Sequence, residues 1–300
     1  MSKGYIKIIF PLLVSFLYMS NNVLANDRND GIEALRRFAR PPTNPTGGNE
    51  GSEESNEQHS SDFYVYKEQV KAAEELMDEA EDLLSRHATN TNEYSLYNKL
   101  SDNSIEYFKK YGEATIYKFN HKLEHPDKYN YIVEKIWNPQ FRKLDGHTIK
   151  EKIVRRYSPD LVMIQHRYTN DDIMFDGYYY ALAKKYQISD TTTLITYATP
   201  DIDDQNRADK LKFKNPLLES ANSFKQQIDS EKDIQNGELT KMFVNLSGYL
   251  IRKKEDHVDI TFVHSIDIHH RPNLKDSIID IVHSAQILHL IKLTIEAFNE

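Results

Sequence analysis

The chain ends in NLKDSIIDIVHSAQILHLIKLTIEAFNE, and this stretch constrains the fold more than any other. It reads as one helix about 42 Å long at 1.5 Å per residue. Ile278, Ile281, Val282, Ala285, Leu288, Ile291 and Ile295 spread its apolar side over much more than a narrow stripe. Such a helix must be covered on most sides, or must itself cover something.

What precedes it supplies the cover. EKIVRRYSPDLVMIQHRYT is two β-rich runs around a Ser-Pro-Asp turn, hence a hairpin. GYYYALAKKYQISDTTTLITYAT repeats the plan with Ser-Asp at the bend, and LTKMFVNLSGYLIRKKEDHVDITFVHSIDIHH gives two more long strands. Two helices come first. From Lys67, Val70, Ala73, Leu76, Met77, Ala80, Leu83 and Leu84 recur at helical spacing among good helix formers. In HPDKYNYIVEKIWNPQF, Pro126 suits a first turn, Tyr129, Ile132, Val133, Ile136 and Trp137 form the buried side, and Asn138-Pro139 is the stop. Helix, antiparallel hairpins and long final helix together define an α+β fold in which a curved sheet grips a helix.

The N-terminus is different in kind. Lys3 and Lys7, an apolar run from Ile8 to Met19, and Val23 and Ala25 at small-residue positions make residues 1–25 a secretory signal peptide. A membrane anchor needs roughly twenty unbroken apolar residues, and this run is shorter, with Pro11 inside it. No later segment reads as a membrane span, so the mature chain is expected to be soluble. Residues 26–62, rich in Pro, Gly, Ser and Glu, bury too little to offset chain entropy and read as a disordered linker. Within it, residues 31–40 suit a short helical turn or a segment read by an export receptor, without an Arg-x-Leu-x-acid motif. Residues 63–300 are left as one domain. A secreted chain with no cysteine cannot be a disulfide scaffold, so stability must come from one adequate core. A net charge of −8 argues against a nucleic-acid partner.

Signatures of catalysis are missing: there is no phosphate loop, Gly-x-Gly-x-x-Gly, Gly-x-Ser-x-Gly or His-Glu-x-x-His. His264, Asp267, His269 and His270 crowd together, but on a strand His264 and Asp267 face opposite sides, so no metal site is expected. Nor is any cofactor. Asn245-Leu246-Ser247 is a formal glycosylation site, but it lies in mid-strand and reads as a chance match. In FDGYYYALAKKY, alternation puts Tyr178, Tyr180 and Leu182 on one face and Tyr179, Ala181 and Ala183 on the other.

In the order and wording of KIWNPQF, IVRRYSPDLVMIQHRY, YYYALAKKY, FVNLSGYLIRKKEDHVDITFVHSIDIH and the final helix, the chain resembles the fam-a proteins of malaria parasites. These carry a START-type lipid-transfer domain, and the resemblance runs from about Lys67 to Phe298. It departs at YSLYNKL, where Tyr97 stands in a region in which relatives often carry cysteine. The resemblance implies a helix-grip fold, a tunnel closed by the C-terminal helix, and transfer of phospholipid, phosphatidylcholine above all, without chemistry. It implies a monomer that touches membranes transiently and is exported to the parasitophorous vacuole or host erythrocyte. Tyr178 and Tyr180 become candidates for a choline cage, Arg167 and Arg156 for the phosphate, and His264, Phe262, Ile281 and Leu288 for the tunnel wall.

Other readings stay open. Half-buried strand tyrosines commonly just pack. An exported surface antigen would keep the fold and fill the tunnel with side chains. An enzyme on the same scaffold would need convergent titratable groups, for which the sequence offers His264 and Glu151.

Overall fold

The computed structural model describes residues 54–300 other than 140, 145–146, 210–211, 269–271 and 300. The expected signal peptide, residues 26–53 of the expected linker, His269 and His270 lie outside the described residues. Four helices, α1 (Glu54–Thr89), α2 (Tyr129–Trp137), α3 (Lys232–Gln235) and α4 (Pro272–Asn299), accompany twelve strands among these residues. Ten strands form one sheet: β1 (Ser95–Ser101), β2 (Ser104–Tyr111), β3 (Ala114–Leu123), β4 (Phe141–Leu144), β5 (His147–Ser158), β6 (Leu161–Asn170), β7 (Phe175–Ser189), β8 (Thr192–Ala198), β11 (Thr240–Lys253) and β12 (Val258–Ile268). Their order is β1-β2-β3-β12-β11-β8-β7-β6-β5-β4. All pairings in it are antiparallel except a short one of β11 with β7 at Thr240 and Lys241. β9 (Asp201–Asp203) and β10 (Lys225–Gln227) make a separate parallel pair.

Both faces of the central strands are buried, each under a helix. Ala73, Leu76, Met77, Ala80, Leu84 and Ala88 of α1 pack on Tyr178, Tyr180, Leu182, Leu194, Leu246, Leu250 and Val263. On the opposite, concave face α4 lies in the grip. Ile278, Val282 and Ala285 meet side chains of β5–β7, while Ile287, Leu290, Leu293 and Ala297 meet Phe119, Ile195, Ile251, Ile260 and Phe262. Strands from both arms of the sheet thus reach one helix. The alternation read in β7 holds, since Tyr178 and Tyr180 share the α1 layer and Tyr179, Ala181 and Ala183 the α4 layer.

Three features go beyond the sequence reading. First, α1 begins at Glu54, so residues 54–62 continue a helix instead of a linker. Adding turns to a helix already held by packing avoids the cost of nucleation, and the Glu and Gln of this polar stretch propagate it readily. Second, a meander β1-β2-β3 precedes α2; Gly112, with φ +56°, makes its second turn, a conformation that a side chain disfavours. Third, Ile278–Ala297 is by length and composition long enough to cross a bilayer, contrary to the expectation that nothing after residue 25 is. Here its most buried positions rest on the sheet.

The approach of α1 to the sheet hinges on Gly248. A Cβ there would lie 2.2 Å from the Ile195 carbonyl oxygen and 2.4 Å from Leu84 Cδ2. Gly248→Val should therefore push α1 off β11 and cost roughly 1–3 kcal/mol by overpacking. Urea unfolding would measure it; an unchanged midpoint would show that the contact is soft.

Candidate functional site

Between α4 and the concave face lies a partly open cavity of about 60 Å³. Three adjacent strands contribute a row in register: Glu151 of β5 stands opposite His166 of β6, which stands opposite Tyr179 of β7. Glu151 Oε1 and His166 Nδ1 are 2.8 Å apart, and the His166 and Tyr179 rings lie parallel with centroids at 4.6 Å. From β8, β11 and β12 come Tyr197, Tyr249 and Phe262; the last two face each other across strands and stack at 4.6 Å. α4 closes the space with Gln286, His289, Leu290 and Leu293, and Lys135 of α2 also lines it.

Electrostatics keep this wall neutral where it is aromatic. Burial, reinforced by the Glu151 carboxylate, pushes the phenols of Tyr179 and Tyr197 well above their ordinary range. They offer π faces and hydroxyl donors, not phenolates. The Glu151–His166 pair is oriented as a general base would be, but Ser247, the hydroxyl nearest in chemistry to a nucleophile, stands three strands away. Among the described residues no cluster of histidine and carboxylate suits a metal ion.

The residues singled out from sequence divide. Phe262 lines the cavity. His264 is buried on the same face, stacked on Phe262 with centroids 5.5 Å apart. Tyr178 and Tyr180 do not face this cavity: they lie in the α1 layer, and their places beside α4 are taken by Tyr179. Tyr178 donates to Asp204 Oδ2 at 2.8 Å and accepts from Asn206; Tyr180 Oη contacts Ser230 Oγ at 2.8 Å and accepts from Gln165. Because β7 is buried on both sides, alternation identifies which residues share a layer but not which layer holds the cavity.

Arg167 is also on the far side. It grips Asp233 through both terminal nitrogens, at 2.5 and 3.0 Å, and Glu231 at 3.2 Å, at a cleft it shares with Lys150, Lys152 and Gln165. Two carboxylates already occupy the guanidinium, leaving it no free fork for a phosphate. Arg156 is exposed, and its backbone carbonyl accepts from the Tyr66 hydroxyl. Ile281 and Leu288 are half-buried on α4, beside the positions that meet the sheet. A helix that is apolar all round gives no stripe from which to choose its inner face. The sequon at Asn245 is closed off, since Asn245 is 1% exposed and its Nδ2 donates to Ser265 Oγ.

Tyr197, Tyr249, His166, Gln286 and His289 were missed. Counting outward from the Ser-Pro-Asp turn would not have set His166 against Glu151, because β5 carries two register shifts between the turn and Glu151.

The fold has known counterparts. No family model matches the chain, and no curated protein sequence does. Among solved structures, human StAR-related lipid transfer protein 5 superposes with a TM-score of 0.52 at 11% identity, over 77% of this chain and all of that one. Human STARD10 follows at a TM-score of 0.49 and 9% identity, over 71% and 76%. The first of these shows that the chain has the helix-grip fold; at such identity the chemistry must be read from this chain's own residues.

Tyr178 now has a structural role that can be checked. Tyr178→Phe removes the buried partner of Asp204 and Asn206 and should cost roughly 1–3 kcal/mol of stability. It should leave any ligand of the concave side bound as before; a change in ligand affinity without loss of stability would return Tyr178 to the site.

Proposed function

We propose that this protein binds a phospholipid between the concave sheet and α4 and carries it between membranes, without bond-making chemistry. The supporting observation is a long helix with apolar residues on every side, laid over an aromatic cavity in a helix-grip fold. A diacyl lipid exposes some thirty methylenes, so leaving its chains in water would cost on the order of 20 kcal/mol at ~0.8 kcal/mol each. Only an enclosed apolar space avoids that. Phosphatidylcholine is the preferred cargo on this reading, because a quaternary ammonium is attracted to aromatic faces by roughly 0.5–2 kcal/mol per contact. The faces available are those of Tyr179, Tyr197, Tyr249 and Phe262. The resemblance to fam-a proteins of malaria parasites adds the setting: a monomer, secreted by way of residues 1–25 and exported toward the host erythrocyte.

A cavity of about 60 Å³ holds about two waters, whereas ligand pockets run to roughly 300–1,000 Å³. Loading must therefore displace α4. At the β6–β7 turn, Ile173 and Met174 offer membrane contact, being 40% and 91% exposed. The same small volume favours a second reading, an interaction protein that has kept the fold and filled the space with side chains.

Native mass spectrometry of the domain after incubation with mixed liposomes separates the two. One bound diacyl lipid per chain is expected; a chain that stays empty across lipid classes would leave the interaction protein standing. Tyr179→Ala or Tyr249→Ala should weaken phosphatidylcholine binding about five- to thirtyfold, the equivalent of ~1–2 kcal/mol. Phosphatidylethanolamine binding should change much less. Equal losses for both lipids would mean that these rings pack and do not select.

A further inference from the structure

Next to the cavity, α4 buries a group of polar side chains that lipid carriage leaves unused. His264 of β12 and His283 of α4 are 0% and 2% exposed, and their rings lie parallel at 5.3 Å. None of their four ring nitrogens has a hydrogen-bond partner. Buried polar groups in native proteins are nearly always paired, so a pair of bare imidazoles at a helix–sheet contact calls for an explanation. Both sit in the one contact that must open if α4 is to move.

The groups that face them are few. From β1, Tyr97 approaches His283 edge-on at 6.2 Å; from β3, Tyr117 stacks on it at 4.1 Å. The Tyr117 hydroxyl donates to Asp280 of α4 at 3.0 Å. From β2 comes Glu106, 6% exposed, with Oε2 4.0 Å from His283 Nε2, beyond hydrogen-bond reach. Ser247 of β11 pairs opposite His264. Farther along, Glu151, His166, Lys135 and His289 line the neighbouring cavity.

We propose that the docked α4 is a proton-operated latch: acid loads the imidazoles of His264 and His283 and lifts the helix, while Glu106 opposes this through the neutral range. The latch acts on the helix itself and stands whether or not the cargo is a lipid.

The signs follow from burial. Burial lowers His264 to about 3 and His283 well below 6.5, and raises Glu106 from 4.5 to about 7. Lifting α4 returns all three toward their ordinary values. The histidine contribution to docking is therefore complete above about 6.5 and is lost as pH falls through that value. The carboxyl contribution runs the other way, present below about 4.5 and lost as pH rises toward 7. Two imidazoles against one carboxyl leave a shallow net dependence near neutrality, and a steep one once the carboxyl is fully protonated.

Hydrogen exchange of peptides from 278–297, corrected for the chemical exchange rate and referred to α1 residues 73–88, reads the opening without any ligand. In the native protein, opening should rise less than about tenfold from pH 7.5 to 5.5 and more than about tenfold over the next unit. Glu106→Gln should steepen the first interval to about a hundredfold. The double variant His264→Phe, His283→Phe should reverse the slope, with opening that falls on acidification. Equal profiles for the native protein and Glu106→Gln would overturn the proposal, as would acid opening that survives in the double variant. If the double variant does not fold, the Glu106→Gln comparison decides alone.

Discussion

Everything in this molecule depends on the contact between the concave face of the sheet and α4. The ten-stranded sheet cannot leave either face of its central strands in water, because residues such as Ile164, Val244 and Ile266 point one way and Met163, Leu246 and Val263 the other. α1 covers the second set with a narrow stripe of Ala, Leu and Met, as a helix with a polar back can. The first set is met by a helix whose apolar and polar residues are not sorted to opposite sides. The asymmetry gives the two layers different characters: the α1 side is tied by ion pairs and hydrogen bonds such as Lys184 to Glu74 and Asp78, and Tyr186 to Asp78. Apolar contact dominates the α4 side, and a few polar groups there are left without partners.

That difference explains how much could be read beforehand. Hairpins with Ser-Pro-Asp and Ser-Asp bends, the β11–β12 pair, the stripe on α1 and the stop at Asn138-Pro139 each follow from local chemistry, and each stands in the structure. The meander was harder. β1 is almost wholly exposed and β2 only partly buried, so neither shows a clear alternation of apolar and polar residues. The Asp102-Asn103 turn between β1 and β2 and the Gly112 turn between β2 and β3 were the signals that would have found it.

The site was less legible for a reason that concerns geometry more than residue type. Tyrosine as the lining residue, and β7 as a strand that carries it, were readable; the face was not, because a strand buried on both sides has no solvent side to orient it. Arg167 looked available until the loop after β10 and the short α3 brought Glu231 and Asp233 to it from some 65 positions away in sequence. Tyr197, Tyr249 and His166 converge with Tyr179 only through the curl of four strands, which no window on the sequence spans.

The pairing of β3 with β12 sets the pace at which such a chain can fold. Val258 lies against Leu123 and His264 against Tyr117, contacts between residues on the order of 140 positions apart. The N-terminal meander cannot join the rest of the sheet until nearly all of the chain is available, and α4, which completes the core, comes last of all. Loop closure over such distances is slow. A ribosome would release this protein with its longest-range ladder unmade, so its time in an open, adhesive state is written into the strand order.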